Sequence, residues 1–345
     1  MTRVNLVRSS AAALAVALLV ATGGACHAAT QPAAPSASSA PSPAERGTST
    51  RVLAISIDGL NVNAIRQLGH DEAPSFYRLL DEGASTLNAR TEYEQTVTLP
   101  NHTGMLTGRR IDRRKGGHGV TWDDDRPGTT VQKAAGHAVA SVFTRVHQSG
   151  GSTALFSTKT KFSLYARSWP QAIDRFTVDE NQQALVRKAR QDLVDTTREF
   201  TFLHVSLPDR TGHASGFMSP AYVDAVKRTD HLIGTVLRTI DEHAALSDDL
   251  VVVLTADHGG KGVSHSDRTK LYNYRVPFLV WGPGVTADDL YDLNPDYVDP
   301  HKLRPTYAGP QPVRNGDVAN LATDLLGLAK VPGSELDAAQ DLTWN

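Results

Sequence analysis

From residue 51 onward the chain alternates short, continuous apolar runs with longer stretches whose apolar positions recur every three or four residues. Strand candidates lie at 51–57, 86–91, 152–157, 200–206, 249–256 and 276–281, and most are continuous apolar runs, the pattern of strands buried on both faces. A helical period covers 73–82 through Phe76, Leu79 and Leu80, and 181–196 through Leu185, Val186, Ala189 and Leu193. The longest helical stretch, 219–243, carries Val223, Val226, Ile233, Leu237 and Ile240 and opens on Ser219-Pro220, an N-cap followed by proline. Residues 285–318 show no period, and a helix resumes over 316–328 through Val318, Leu321, Leu325 and Leu326. This alternation predicts a single α/β domain with a mostly parallel central sheet flanked by helices on both faces.

Three of the strand-like runs lead into acids. Val52-Leu53-Ala54-Ile55-Ser56-Ile57 ends at Asp58, and Phe202-Leu203-His204-Val205-Ser206 leads to Asp209 with His213 four residues on. The third run, Leu250-Val251-Val252-Val253-Leu254, leads to Asp257-His258. In open α/β sheets ligands bind outside the carboxyl ends of the strands, so these acids and histidines are expected along one edge. Mixed carboxylate and imidazole ligation suits zinc or a similar divalent ion.

Composition adds limits. With 40% hydrophobic and 21% charged residues, the chain has the make-up of a globular protein. A formal net charge of −2 provides no global field for nucleic acid or an anionic membrane, so any anionic substrate must be held by local groups. Residues 1–28 read as a secretory signal peptide: Arg3 and Arg8 precede an apolar stretch from Ala11 to Ala21, followed by small residues. That stretch is well short of the ~20 residues of a transmembrane helix, so an exported chain with no span after signal removal is expected. Cys26 lies at the junction and leaves a lipid anchor open, although Gly23-Gly24-Ala25 is a poor lipoprotein box. Residues 29–50, almost entirely Ala, Pro and Ser, read as a flexible linker, and the catalytic domain as 51–345.

The segment Thr96-Val97-Thr98-Leu99-Pro100-Asn101-His102-Thr103-Gly104-Met105-Leu106-Thr107-Gly108 has proline where a helix can begin and glycine where one can end. Thr98 then stands at the helix N-terminus, where N–H groups and the dipole favour an alkoxide or a bound phosphate. On this segment alone the plain N-cap is the favoured reading of Thr98, and the metal motifs elsewhere reverse it.

Together Asp58-Gly59, Thr98-Leu99-Pro100-Asn101-His102, Pro208-Asp209-Arg210-Thr211-Gly212-His213 and Ala256-Asp257-His258-Gly259-Gly260 resemble the alkaline phosphatase superfamily, in its type I phosphodiesterase and nucleotide pyrophosphatase branch. The resemblance spans about residues 51–330, with the four motifs in the family's order. It implies two divalent ions, usually zinc, roughly 4 Å apart. One would take Asp58, Asp257, His258 and the hydroxyl of Thr98; the other would take Asp209, His213 and a third histidine. It further implies a metal-dependent phosphoric ester hydrolase acting on a small-molecule phosphate ester through a Thr98 nucleophile and a phosphoryl-threonine intermediate.

No motif fixes the third histidine. His265, on the loop after Asp257-His258, is the expected ligand, and His301 is the distant alternative. His102 and His118 are expected to orient loops by hydrogen bonding, and His70, His137, His147, His231 and His243 to lie on the surface. The family carries an amide donor, asparagine, where this chain has Asp123 after His118-Gly119-Val120-Thr121-Trp122. A carboxylate there repels a phosphoryl oxygen. Asp123 therefore either faces the substrate, points to solvent, or supports a metal-bound histidine. Arg109, Arg110, Arg113, Arg114 and Lys115 form a solvated loop or approach an anionic substrate; Lys159 and Lys161 could reach the same edge.

A phosphomonoesterase on the same two-metal site is the nearest alternative, since Thr98 alone does not separate the branches. A sulfatase would need a Cys-x-Pro-x-Arg segment, and the sole cysteine lies in the leader. A cofactor-independent mutase would find no sugar phosphates outside the cell. A non-catalytic metal-binding relative would be expected to have lost ligands, yet only Asp123 departs from the pattern.

Overall fold

The computed structural model describes residues 51–345; the signal-peptide, linker and Cys26 readings fall outside the described residues. Eight strands form one sheet: β1 Arg51–Ile57, β2 Ala84–Arg90, β3 Thr153–Ser157, β4 Arg175–Val178, β5 Phe200–Val205, β6 Leu250–Thr255, β7 Arg275–Trp281 and β8 Asp288–Asp289. Their order is β4-β3-β5-β1-β6-β7-β2-β8. All pairings are parallel except those of β7, which runs antiparallel to both β6 and β2. The central strands β1, β5 and β6 are buried along their whole length, as their unbroken apolar runs require.

Helices of seven residues or more are α1 Val62–Glu72, α2 Pro74–Glu82, α3 Thr98–Thr107, α4 Val142–Gln148, α5 Gln182–Asp195, α6 Leu207–Ser215, α7 Pro220–Asp241 and α8 Val318–Leu325. Helix α7 packs with α1, α2, α5 and α6, while α3, α4 and α8 pack together, so the sheet is flanked by helices on both faces. Ser219 Oγ accepts the Tyr222 N–H at 3.2 Å to start α7, and Val226, Ile233, Leu237 and Ile240 lie on its buried side. Helix α3 is buried on every side and stops at Gly108, whose φ of 62° is left-handed.

Two edge strands and two helices escape the sequence pattern. β4 is only half-buried and β8 is two residues long, so neither carries an apolar run. Helix α1 is kinked at Gly69, and α4 spans barely two turns. The irregular segment before α8 is pinned by two buried arginines. Arg90 donates to the carbonyls of Asn88, His301 and Leu303, and Arg314 to those of Thr91, Pro305 and Thr306. A guanidinium's five donors can replace the ladder that this segment lacks.

Candidate metal centre

Because β5, β1 and β6 are neighbours in register, the residues just beyond their carboxyl ends are brought together. Asp58 follows β1, Asp257-His258 follow β6, and Asp209 sits in the first turn of α6 with His213 one turn later. The Asp209 N–H donates to the Asp58 carbonyl at 3.1 Å. Gly59 makes this approach possible: a Cβ there would stand 3.0 Å from both Cα and Cβ of Asp209, and its φ of 71° is left-handed.

Two groups with metal-ligating geometry result, Asp58 with Asp257 and His258, and Asp209 with His213 and His265. In the first, His258 Nε2 lies 3.5 Å from Asp58 Oδ1 and 3.4 Å from Asp257 Oδ2. In the second, His213 Nε2 lies 3.4 Å from Asp209 Oδ1 and 3.1 Å from His265 Nε2. Ligands about 2.0–2.1 Å from a tetrahedral ion stand roughly 3.3 Å apart, so these spacings fit bound divalent ions. Three buried atoms, Asp209 Oδ1, Asp257 Oδ2 and His258 Nε2, have no hydrogen-bond partner among the described residues and all belong to these groups. Orphaned buried oxygens and nitrogens are costly unless something else meets them. The Nδ1 atoms of His258 and His265 face the carbonyls of Gly259 at 2.8 Å and Thr96 at 2.7 Å, which leaves each Nε2 lone pair for the site.

Lys159 lies between the groups, its Nζ 2.6 Å from Asp58 Oδ2 and 2.7 Å from Asp209 Oδ2. One ammonium against three carboxylates leaves an excess of negative charge. Burial opposes ionisation of Asp58, yet Lys159, then His204 and His258, hold its carboxyl well below the usual range. Burial and the Asp58 charge push Asp257 well above it. Added positive charge is therefore favoured here.

Thr98 is the first residue of α3, only 1% exposed, with its Oγ1 3.5 Å from Asp58 Oδ1. The hydroxyl makes no capping bond. Asp123 caps the helix instead, accepting the Leu99 N–H at 2.9 Å on Oδ1 while Oδ2 pairs with Lys161 at 2.8 Å. His102 fixes α3 to β1 through Ser56 Oγ at 2.8 Å and meets the Thr98 carbonyl at 2.8 Å.

The structure thus gathers Asp58, Thr98, Asp209, His213, Asp257, His258 and His265 at one edge. His301 lies apart, exposed and beside Asp299 at 3.3 Å. Asp123 is partly exposed and partners no histidine; capping α3 is a task that the sequence did not reveal. Of the basic loop, Arg109 and Arg110 are not solvated: Arg109 binds the carbonyls of Gly116 and Pro332, and Arg110 pairs with Glu94 at 3.0 Å. His204 was missed altogether. Its Nε2 meets Asp58 Oδ2 at 2.9 Å, and the only signal was a histidine inside a fully buried strand.

The profile of the family described as Type I phosphodiesterase / nucleotide pyrophosphatase matches residues 52–311. The chain belongs to that family, and its fold and family make it an enzyme that acts on phosphoesters. Among curated relatives, GPI ethanolamine phosphate transferase 1 of Chaetomium globosum is 31% identical over 114 residues, covering 32% of this chain and 12% of the relative. The mouse protein of that name is 22% identical over 259 residues, covering 68% of this chain and 26% of the relative. The chain therefore spans about an eighth to a quarter of the length of these transferases. Among solved structures, mouse ectonucleotide pyrophosphatase / phosphodiesterase 5 in an inactive form with AMP has a TM-score of 0.60 at 14% identity, covering 82% of this chain and 96% of that one. A protein of the alkaline phosphatase superfamily from Vibrio parahaemolyticus has a TM-score of 0.57 at 15% identity, covering 86% and 71%. Such neighbours establish the alkaline-phosphatase-like fold. No helix among the described residues is long and apolar enough to cross a membrane.

Proposed function

We propose that this chain is a metal-dependent phosphodiesterase or nucleotide pyrophosphatase-like hydrolase with Thr98 as its nucleophile. The observation that carries this reading is the hydroxyl of Thr98, held only by a long 3.5 Å hydrogen bond to Asp58 Oδ1, at the N-terminus of α3 and against the group of Asp58, Asp257 and His258. Two divalent ions, for which zinc suits the donor set, would be held by Asp58, Asp257 and His258 and by Asp209, His213 and His265, and would supply Lewis-acid stabilisation of developing negative charge. Thr98 Oγ attacks phosphorus as its proton passes to solvent, the ester oxygen leaves with the bond electrons and takes a proton from solvent, and water then cleaves the phosphoryl-threonine, giving its hydroxyl to phosphorus and a proton back to Thr98 Oγ. The amino end of α3 supports negative charge at this point. Burial of Thr98 keeps bulk water from its oxygen.

A phosphomonoesterase is the second reading, and Lys159 with Lys161 favours it. A terminal phosphoryl group carries one more negative charge than a diester, and it could draw on these two ammonium groups, which pair with Asp58, Asp209 and Asp123 at the same edge. The curated relatives are transferases, so an alcohol in place of water is a further fate for the phosphoryl group. The leader composition supports an exported protein.

The test is turnover by purified residues 29–345 on a bis-aryl phosphate, an aryl phosphate, an aryl sulfate and a nucleotide aryl ester, with and without a polyol acceptor, alongside metal analysis. Diester turnover with about two ions per chain is expected. Preference for the aryl phosphate would shift the reading to a monoesterase, and full activity in metal-free protein would overturn it.

A further inference from the structure

Beside β2, away from the metal centre, a cavity of about 520 Å³ is lined by the cations Arg66, Arg275 and Lys302 and by the acids Asp289 and Asp299. Arg66, on the exposed side of α1, and Arg275, at the start of β7, line it together with Lys302. Arg275 is half-buried. Its Nη2 donates to the neutral Asn63 Oδ1 at 2.7 Å, and its Nε is buried without a partner. Burial and the neighbouring Arg66 charge hold its pKa below the ordinary arginine value, and no carboxylate offsets them. Neither Arg66 nor Lys302 forms a side-chain ion pair among the described residues. Two adjacent guanidinium groups without a counter-charge repel each other, and a tetrahedral oxyanion relieves that repulsion while accepting two N–H bonds from a single fork.

Of the two acids, Asp289 stands farthest from Arg275. Asp289 pairs in register with Ser85 of β2 whereas Arg275 pairs with Arg90. Five residues of strand separate those positions, roughly 17 Å. Asp299, between them, is engaged by Asn88 Nδ2 at 2.5 Å and by the His301 N–H at 2.8 Å. None of the seven residues gathered at the metal centre lines this cavity.

We infer that the Arg66–Arg275 end of this cavity is a second anion site, taking one phosphate-type oxyanion, and that its acidic end disfavours chained polyanions. The oxyanion is either free inorganic phosphate or the terminal group of a phosphate monoester.

The experiment is calorimetric titration of the metal-loaded chain with inorganic phosphate, glycerol phosphate and tripolyphosphate, run beside phosphate inhibition of ester turnover. Two phosphates per chain are expected: one matched by inhibition, the other silent in turnover. Arg66→Ala and Arg66→Glu should weaken the silent site about tenfold or more. Inhibition should not change, and Arg66→Lys should retain most of the binding. Equal binding of phosphate and glycerol phosphate assigns the site to a terminal phosphoryl group; phosphate alone assigns it to the free ion. A single phosphate per chain, a silent site indifferent to the charge at 66, or tighter binding of tripolyphosphate would overturn the assignment. Arg66 is exposed, so its variants fold. If no ester is turned over, the proposed function fails, while the phosphate count across the Arg66 series still answers for this site.

Discussion

His204 Nε2 lies 2.9 Å from Asp58 Oδ2, reaching from the middle of the sheet to the loop beyond β1. Its Nδ1 faces the hydroxyls of Ser157 at 3.1 Å and Thr158 at 3.3 Å, so the ring is held on both sides. One oxygen of Asp58 is thereby anchored, and Oδ1 is left toward His258 and Thr98. His204→Ala should lower metal affinity about 10–100-fold without altering the ligands themselves. Chelator competition measures this, with circular dichroism as the check on folding. His204→Asn, which keeps a donor, should recover part of the loss, and unchanged affinity in the alanine variant would remove the positioning role.

His265 and His301 separate two arrangements of the second group. His265 Nε2 stands 3.1 Å from His213 Nε2 and its ring stacks on His258 at 3.5 Å, whereas His301 is exposed. His265→Ala should bring metal content toward one ion per chain, since one imidazole is a third of that group's protein ligands. His301→Ala should leave it unchanged. Elemental analysis of both variants decides, and the reverse outcome would move the ligand to the segment before α8.

The contrast between these histidines shows how far the sequence is legible. Asp58, Asp209 and Asp257 could be placed because each follows an apolar run, and a run with a period of its own is a local signal. His213 and His258 came with them by spacing. His204 could not be read, because its role depends on β1 and β5 being neighbours, a long-range fact that no window contains. Asp123 is alike in this, since its partner Leu99 lies 24 residues away, whereas Lys159 was expected to be able to reach this edge and does, though not its bridge to Asp209, 50 residues on. The sheet interior was readable and its edges were not, since β4 and β8 bury too little to show a pattern.

Thr98 carries the chemistry in the proposed reading, and its hydroxyl is not engaged as a helix cap. Thr98→Ala should lose several orders of magnitude in turnover while fold and most metal binding persist. Thr98→Ser should keep measurable activity, because a primary hydroxyl can still attack. Rates above about a tenth of wild type in the alanine variant would make another group the nucleophile.

Asp123 holds the Leu99 N–H and Lys161 together. Asp123→Ala removes a helix cap, worth about 0.5–2 kcal/mol, and frees an N–H and an ammonium beside Thr98. Asp123→Asn keeps the acceptor for Leu99 and loses only the half-exposed ion pair, worth about 1 kcal/mol or less. Thermal unfolding should therefore rank wild type and Asp123→Asn close together and Asp123→Ala clearly lower. Equal melting of all three would mean that the cap contributes nothing to α3.

Glu92 supplies the pH dependence. Its carboxyl is wholly buried between β2 and α3, with Oε2 accepting the Tyr307 O–H and Oε1 without a partner. Burial, reinforced by the Glu94 charge, pushes its pKa up to about 8. An unfolded glutamate titrates near 4.3, so between roughly pH 4.3 and 8 the native state binds the extra proton. Stability must then fall as pH rises through that window, by an amount on the order of 5 kcal/mol. Glu92→Gln cannot titrate, and its amide oxygen still accepts from Tyr307. At pH 5 the variant and wild type should melt alike. By pH 8.5 the variant should melt several degrees higher, at equal metal content. Melting curves taken across pH 5–9 test this, and a constant offset between the two proteins would show that Glu92 is ionised throughout.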